Sequence, residues 1–154
     1  MKTHHYSTQL RWTGNKGLGT KSYTSYTRDY AIQTKGKPVI SGSSDPAFRG
    51  DRSRYNPEEM LLASLSSCHM LWYLHLCSEA GVIVTDYYDT ASGEMEEAPN
   101  GSGRFTKVIL SPVVTVQEAS MLDKANELHQ KANEMCFIAN SCNFSVLHEP
   151  ESRV

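Results

Sequence analysis

Polar and apolar residues alternate along Tyr6–Trp12 well enough for a strand, the two-residue period of a segment that turns one face to a core, and Asp29–Thr34 reads as a second strand. Between them, Gly14-Asn15-Lys16-Gly17-Leu18-Gly19 reads as a turn or loop. Lys35-Gly36-Lys37-Pro38 reads as a tight turn, with Val39-Ile40 as the start of a return strand. This first third predicts a small antiparallel meander. Ser41 to Tyr55 has no apolar period and is rich in Gly, Ser, Asp, Pro and Arg, so it is expected to be a long ordered loop of the kind that often carries function.

A helix start follows. Asn56 is a good N-cap, Pro57 suits the first helical position, and Glu58 and Glu59 complement the positive end of the helix dipole. The helix is expected to run to Glu79 or Ala80 and stop at Gly81, which can take the left-handed conformation of a helix end. Met60 to Ser78 contains no Asp, Glu, Lys or Arg and approaches the roughly 20 residues of a membrane span. Its serines and histidines dilute the hydrophobicity, and no basic cluster flanks it. The reading is therefore a helix buried on most sides of a soluble core, with no membrane partner.

Val82–Thr90 and Phe105–Val116 are β-branched and aromatic, and the turn-prone Ala98–Gly103 lies between them. They are predicted to pair as a hairpin, with Pro112 at an edge or a bulge because it lacks a ladder donor. From Ala119 onward, Leu122, Ala125, Leu128, Ala132 and Met135 recur at three- and four-residue steps, predicting an amphipathic helix that ends at Cys136. Asn143–His148 alternates as a last strand. The fold class is α+β, one domain over residues 1–154: antiparallel sheets around a long buried central helix, plus a second, C-terminal helix.

Composition narrows the chemistry. At 154 residues with a net charge of −2 and interspersed charges, the chain has no basic face of the kind nucleic acid requires. The polar N-terminus lacks the apolar core of a secretory signal, which points to the cytoplasm. Four cysteines are too few for a disulfide scaffold there.

Cys68 lies within the long helix and Cys136 at the end of the second. A thiol with a depressed pKa makes a useful nucleophile, and a second thiol can resolve the sulfenic acid formed on oxidation. The competing reading is that free cysteine packs as a small buried hydrophobe. Cys77, nine residues from Cys68 and without a basic neighbour, reads as core. Cys142 competes with Cys136 only if the helix has ended before it. No metal site is expected: helix neighbours such as Cys68 and His69 do not face one another, and no Cys-x-x-Cys or His-Glu-x-x-His spacing is present, around His75 and His129 included. His4-His5 is incidental.

The capped Asn56-Pro57-Glu58 start, a cysteine ten residues after Glu58, and a second cysteine at a helix end near the C-terminus resemble the OsmC/Ohr family of thiol-dependent hydroperoxide reductases. The resemblance implies Cys68 as the peroxidatic thiol, Cys136 as the resolving thiol and Glu58 as the active-site carboxylate. It also implies an arginine from the loop before the second strand, for which Arg28 is the best positional match and Arg49, Arg52 and Arg54 in the later loop are rivals. It further implies an intertwined homodimer, an organic hydroperoxide substrate, a dithiol reductant and no cofactor. Helix geometry is consistent with the dimer, since ten residues separate Glu58 from Cys68 by about 15 Å along the axis, so Glu58 would serve a Cys68 of another chain. Phe137 stands after Cys136 where many relatives have proline. The alternative is an OsmC-like stress or binding protein that keeps the fold with little peroxidase activity.

Overall fold

The computed structural model describes residues Met1–Val154, which form two compact units, Met1–Met60 and Leu61–Val154. In the first unit, strands β1 (Gln9–Trp12), β2 (Tyr30–Gln33) and β3 (Ile40–Gly42) make the expected antiparallel meander. Gln9 pairs with Gln33, Trp12 with Tyr30, and Tyr30 in turn with Gly42. Gly42 is required there, because a Cβ would run into the Tyr30 ring. The β1–β2 connection is tied down by Trp12, whose Nε1 donates to the Thr27 carbonyl at 2.8 Å while its ring meets Tyr26 edge-on.

The long loop after β3 is ordered by local hydrogen bonds. Asp45 Oδ1 accepts from the Ala47 N–H at 2.7 Å and caps a short 3-10 turn at Pro46–Phe48. Buried Ser43 donates its N–H to the Tyr55 carbonyl, and its hydroxyl accepts from the Asp51 N–H.

Helix α1 (Pro57–Glu79) starts where the cap residues place it. Asn56 Oδ1 accepts from the Glu59 N–H at 2.8 Å, and Glu59 Oε2 accepts from the Asn56 N–H at 3.1 Å, a reciprocal capping box. At the other end Gly81 takes φ +74°. The Val82 N–H then donates to the Cys77 carbonyl and the Gly81 N–H to that of Ser78, the Schellman arrangement.

In the second unit α1 turns one face inward. Leu65, His69, Tyr73 and Cys77, at four-residue intervals, are its buried residues. The strands depart from the predicted hairpin. Phe105–Val116 is broken at Ser111 into β6 (Gly103–Leu110) and β7 (Pro112–Val116), and the unpredicted β5 (Ser92–Glu97) is the hairpin partner of β6. Strand β4 (Val84–Asp89) pairs with β7. The break is held by Asp89, whose Oδ1 accepts from the Ser111 N–H at 2.7 Å and whose Oδ2 accepts from the Ser66 hydroxyl on α1. Pro112 is the first residue of the central strand β7, a position where its missing N–H removes no ladder bond from the strand interior.

Helix α2 (Leu122–Met135) begins three residues after Ala119, which opens a short 3-10 turn. Strand β8 (Ser145–His148) is joined by a second unpredicted strand, β9 (Glu151–Arg153). Both run parallel to their neighbours, β8 to β6 and β9 to β7, so the sheets β4-β7-β9 and β5-β6-β8 are mixed rather than antiparallel. Alternation places Val108 and Leu110 of β6, and Pro112, Val114 and Val116 of β7, toward the core. The first sheet packs on the Tyr73–Cys77 part of α1 and on Ala125, Leu128 and Ala132 of α2. The second packs on Leu61, Leu62 and Leu65.

The expectation of a helix buried on most sides needs correcting for this chain. The helix is long and apolar enough to cross a membrane by length and composition, but its buried face is a single stripe, and Leu71 remains 63% exposed. Apolar character in α1 therefore exceeds what one chain covers.

Candidate functional site

Cys68 stands one turn beyond Ser64 on α1, half-buried, and Cys136 is the residue that ends α2. Helix α2 stops because Cys136 turns to extended backbone, φ −69° and ψ 110°, with its N–H reaching back to the Asn133 carbonyl. The next turn then folds around the residue. The Asn140 N–H donates to the Cys136 carbonyl at 3.0 Å, and the Ala139 N–H donates to its Sγ at 3.4 Å. Cys136 is thus held by backbone and only 1% exposed.

The two thiols meet. Burial pushes the Cys136 thiol up to about 11, and the adjoining Cys68 thiol pushes it the same way. Cys136 is consequently a thiol, not a thiolate, at neutral pH. Cys142, beyond the helix end, is turned elsewhere: its Sγ donates to the Ile138 carbonyl at 3.3 Å among Leu65, Val108 and Phe144, and burial raises its pKa. Cys77 is buried at the far end of α1, where burial also raises its pKa.

An apolar surface adjoins the pair. Trp72 is one helical turn from Cys68, and its ring meets that of Phe137, next to Cys136, edge-on at 5.6 Å. Phe137 is 64% exposed. Leu71, Trp72 and His75 line a recess of about 260 Å³. Phe137 therefore extends the apolar surface beside the pair.

The first unit holds the other two expected residues. Arg28 is clamped: its guanidinium donates to the carbonyls of Tyr23 and Tyr26 at 2.8 and 3.0 Å and lies over both tyrosine rings, at 4.1 and 4.3 Å. Among the rivals, Arg54 pairs with Asp51 and Asp29 at 3.3 and 3.8 Å. Arg49 takes a left-handed φ of 64°. Arg52 is exposed. Glu58, in the first turn of α1, is half-buried, and its Oε2 is shielded with no hydrogen-bond partner. Its charge, after burial, raises the pKa of Tyr30.

One cluster escaped the sequence reading. His69 Nε2 and His129 Nδ1 are 3.0 Å apart, both residues are buried, and the rings are stacked with centroids 5.3 Å apart. Tyr73 stacks on His129 at 3.9 Å, and His148 of β8 lies 5.7 Å from His69. Burial, with a smaller contribution from His148, depresses His69 to about 4; burial, then His69 and His148, depresses His129 to about 3. Both are neutral at pH 7. No three His, Cys, Asp or Glu side chains converge as metal ligands would. The signal was present in the spacing: His69 continues the stripe Leu65-His69-Tyr73-Cys77, and His129 lies one turn after buried Ala125.

Comparison with known proteins agrees with this architecture. The chain is 23% identical to the uncharacterised protein YmaD of Bacillus subtilis over 157 residues, covering all of this chain and 97% of that one. An OsmC-like protein of unknown function from Vibrio cholerae superposes with a TM-score of 0.83 at 29% identity, covering 96% and 99% of the two chains. An organic hydroperoxide resistance protein from Elizabethkingia anophelis superposes with a TM-score of 0.72 at 19% identity, covering 99% and 100%. Residues 50–150, which hold α1, both helices' cysteines and most of the two mixed sheets, match the family model described as OsmC-like protein, and the chain belongs to the OsmC-like family.

Proposed function

We propose that the protein is a thiol-dependent peroxidase that reduces organic hydroperoxides in the cytoplasm. The observation that carries this reading is the meeting of half-buried Cys68 with a fully buried, protonated Cys136. Cys68 thiolate would attack the terminal oxygen of ROOH; an S–O bond forms, the O–O bond breaks, and the alkoxide leaves as ROH after taking a proton. Cys136 would then attack the sulfenic sulfur; its S–H proton leaves with the hydroxyl as water, and a Cys68–Cys136 disulfide forms. A dithiol reductant would reopen it by exchange. The surface of Leu71, Trp72 and Phe137 suits an apolar R group.

The protein would act as a homodimer. The apolar outer face of α1, with Leu71 63% exposed, and the roughly 15 Å of helix axis between Glu58 and Cys68 support a site completed by a second chain. The arginine that assists Glu58 is Arg28 in this reading. A second reading, an OsmC-like binding protein with little turnover, draws on the same residue, because Arg28 is already committed to two carbonyls and two rings.

The test is consumption of an organic hydroperoxide by the reduced protein, Cys68→Ser and Cys136→Ser, with mass spectrometry of thiol state after one turnover. The peroxidase reading expects activity to vanish with Cys68→Ser and a Cys68–Cys136 disulfide in the wild type. Unchanged peroxide and free thiols would leave the binding reading. Arg28→Ala separates the two further: loss of the peroxide step supports Arg28 in the site, and unaltered turnover removes it.

A further inference from the structure

The buried imidazole pair has no part in the thiol chemistry above, yet it lies between the same two helices. His69 directly follows Cys68 on α1, and His129 lies two helical turns before Cys136 on α2. The polar links between these helices are the 3.0 Å His69–His129 contact and the Tyr73 hydroxyl donating to the Ala125 carbonyl at 3.2 Å. The first is the nearer to the thiols. It is fully shielded from water, so breaking it leaves a ring nitrogen without a partner in the core, which costs more than the bond itself contributes in the folded state.

We infer that the His69–His129 pair is a positioning device that fixes α2 against α1 so that Cys136 is presented to Cys68. The pair acts through the helices and touches neither the substrate nor sulfur chemistry. Two features adapt it to that task. The rings are stacked on Tyr73 as well as hydrogen-bonded, so translation of α2 along α1 breaks both interactions together. The remaining ring nitrogens, His69 Nδ1 and His129 Nε2, are shielded and unpartnered, a cost that a purely apolar pair would avoid and that is retained at this one place between the helices.

The inference rests on the reading of Cys68 and Cys136 as a redox pair, but its test does not need peroxide. The Cys68–Cys136 disulfide is equilibrated with reduced and oxidised glutathione at pH 7, two protein thiols being oxidised as glutathione disulfide is reduced, and alkylated fractions are quantified by mass spectrometry. His129→Phe keeps a ring on Tyr73 and removes the nitrogen; the equilibrium constant for disulfide formation should fall by roughly tenfold, the scale of one buried hydrogen bond. His69→Leu breaks the contact from the other helix and should lower the constant equally, which covers the case where one variant fails to fold by circular dichroism. The pair His69→Gln with His129→Asn places amide groups at the positions of Nε2 and Nδ1 and should restore a value close to wild type.

Wild-type equilibrium in folded His129→Phe would overturn the inference. So would an amide pair as impaired as His129→Phe, which would reduce the cluster to packing volume. A wild type that forms the disulfide with glutathione but leaves peroxide untouched would sink the peroxidase reading and keep the positioning role; a wild type that forms no such disulfide would sink both.

Discussion

Each of the four thiols has a different fate, set by local contacts rather than by sequence distance. Cys77 and Cys136 are both about 1% exposed, whereas Cys68 and Cys142 are half-buried, and burial raises the pKa of Cys77, Cys136 and Cys142. Alkylation of the native protein by iodoacetamide at pH 8 should modify Cys68 before Cys77 and Cys136, since the thiolate reacts and burial disfavours it; peptide mass spectrometry gives the order, and equal rates at Cys77 and Cys68 would contradict the burial argument. The histidines make the second residue-level prediction. A histidine whose pKa falls on folding binds its proton more tightly in the unfolded chain, so stability is full above the ordinary value of 6.5 and is lost as pH falls toward about 4 for His69 and about 3 for His129. The loss should be on the order of a few kcal/mol for the pair. Urea unfolding at pH 7 and pH 4.5 checks it, and the double variant His69→Gln with His129→Asn should flatten that slope; an unchanged slope would mean that carboxylates, not the imidazoles, set the acid sensitivity.

At the scale of elements, α1 was legible because its ends are written in local chemistry. Asn56→Ala removes the side-chain half of the capping box and should cost about 1 kcal/mol, read as a fall of about 3 °C in thermal midpoint for a chain of this size. Gly81→Ala forces a Cβ into φ +74° at the other end and should cost about as much; a neutral effect at either site would mean tertiary packing, not the caps, holds the helix ends. The meander was also legible, because its strands pair in sequence order as β1-β2-β3 and glycine-rich or Gly-Pro-bearing segments separate them. The sheets of the second unit were not, because the β4–β7, β6–β8 and β7–β9 pairings join strands far apart in sequence. Phe105–Val116 reads as one β-branched run, and only the bonds from Asp89 to Ser111 and Ser66 split it into strands of two sheets. Ser92–Glu97 carries Gly93, three glutamates and a single large apolar residue, so neither alternation nor β-propensity marked β5. Strand β9 is three residues long, below the length at which a period can be read. The site followed the same division: Cys136 could be placed at a helix end from spacing, while the His69–His129 contact spans sixty residues and depends on a helix crossing no local pattern encodes.

For the molecule as a whole, the unsatisfied surface is the outer side of α1. Its inward stripe is satisfied by Leu65, His69, Tyr73 and Cys77, whereas Leu71 is 63% and Phe137 64% exposed beside Trp72. In the proposed homodimer this surface would be buried against its own copy, which the hydrophobic effect favours. A two-fold crossing of α1 helices in that dimer would also bring each Glu58, about 15 Å along the axis from its own Cys68, toward the middle of the partner helix. A stable interface of this kind covers roughly 1,600 Å², so one charge at its centre should matter. Sedimentation at low micromolar concentration should give the wild type at twice the 17.2 kDa chain mass, and Leu71→Glu should shift it toward monomer because an unpaired carboxylate cannot be desolvated cheaply. Glu58→Gln should sediment as the wild type but slow the peroxide step, since it removes a charge and not apolar area. A wild-type monomer with full turnover would place the whole site within one chain and remove Glu58 from it.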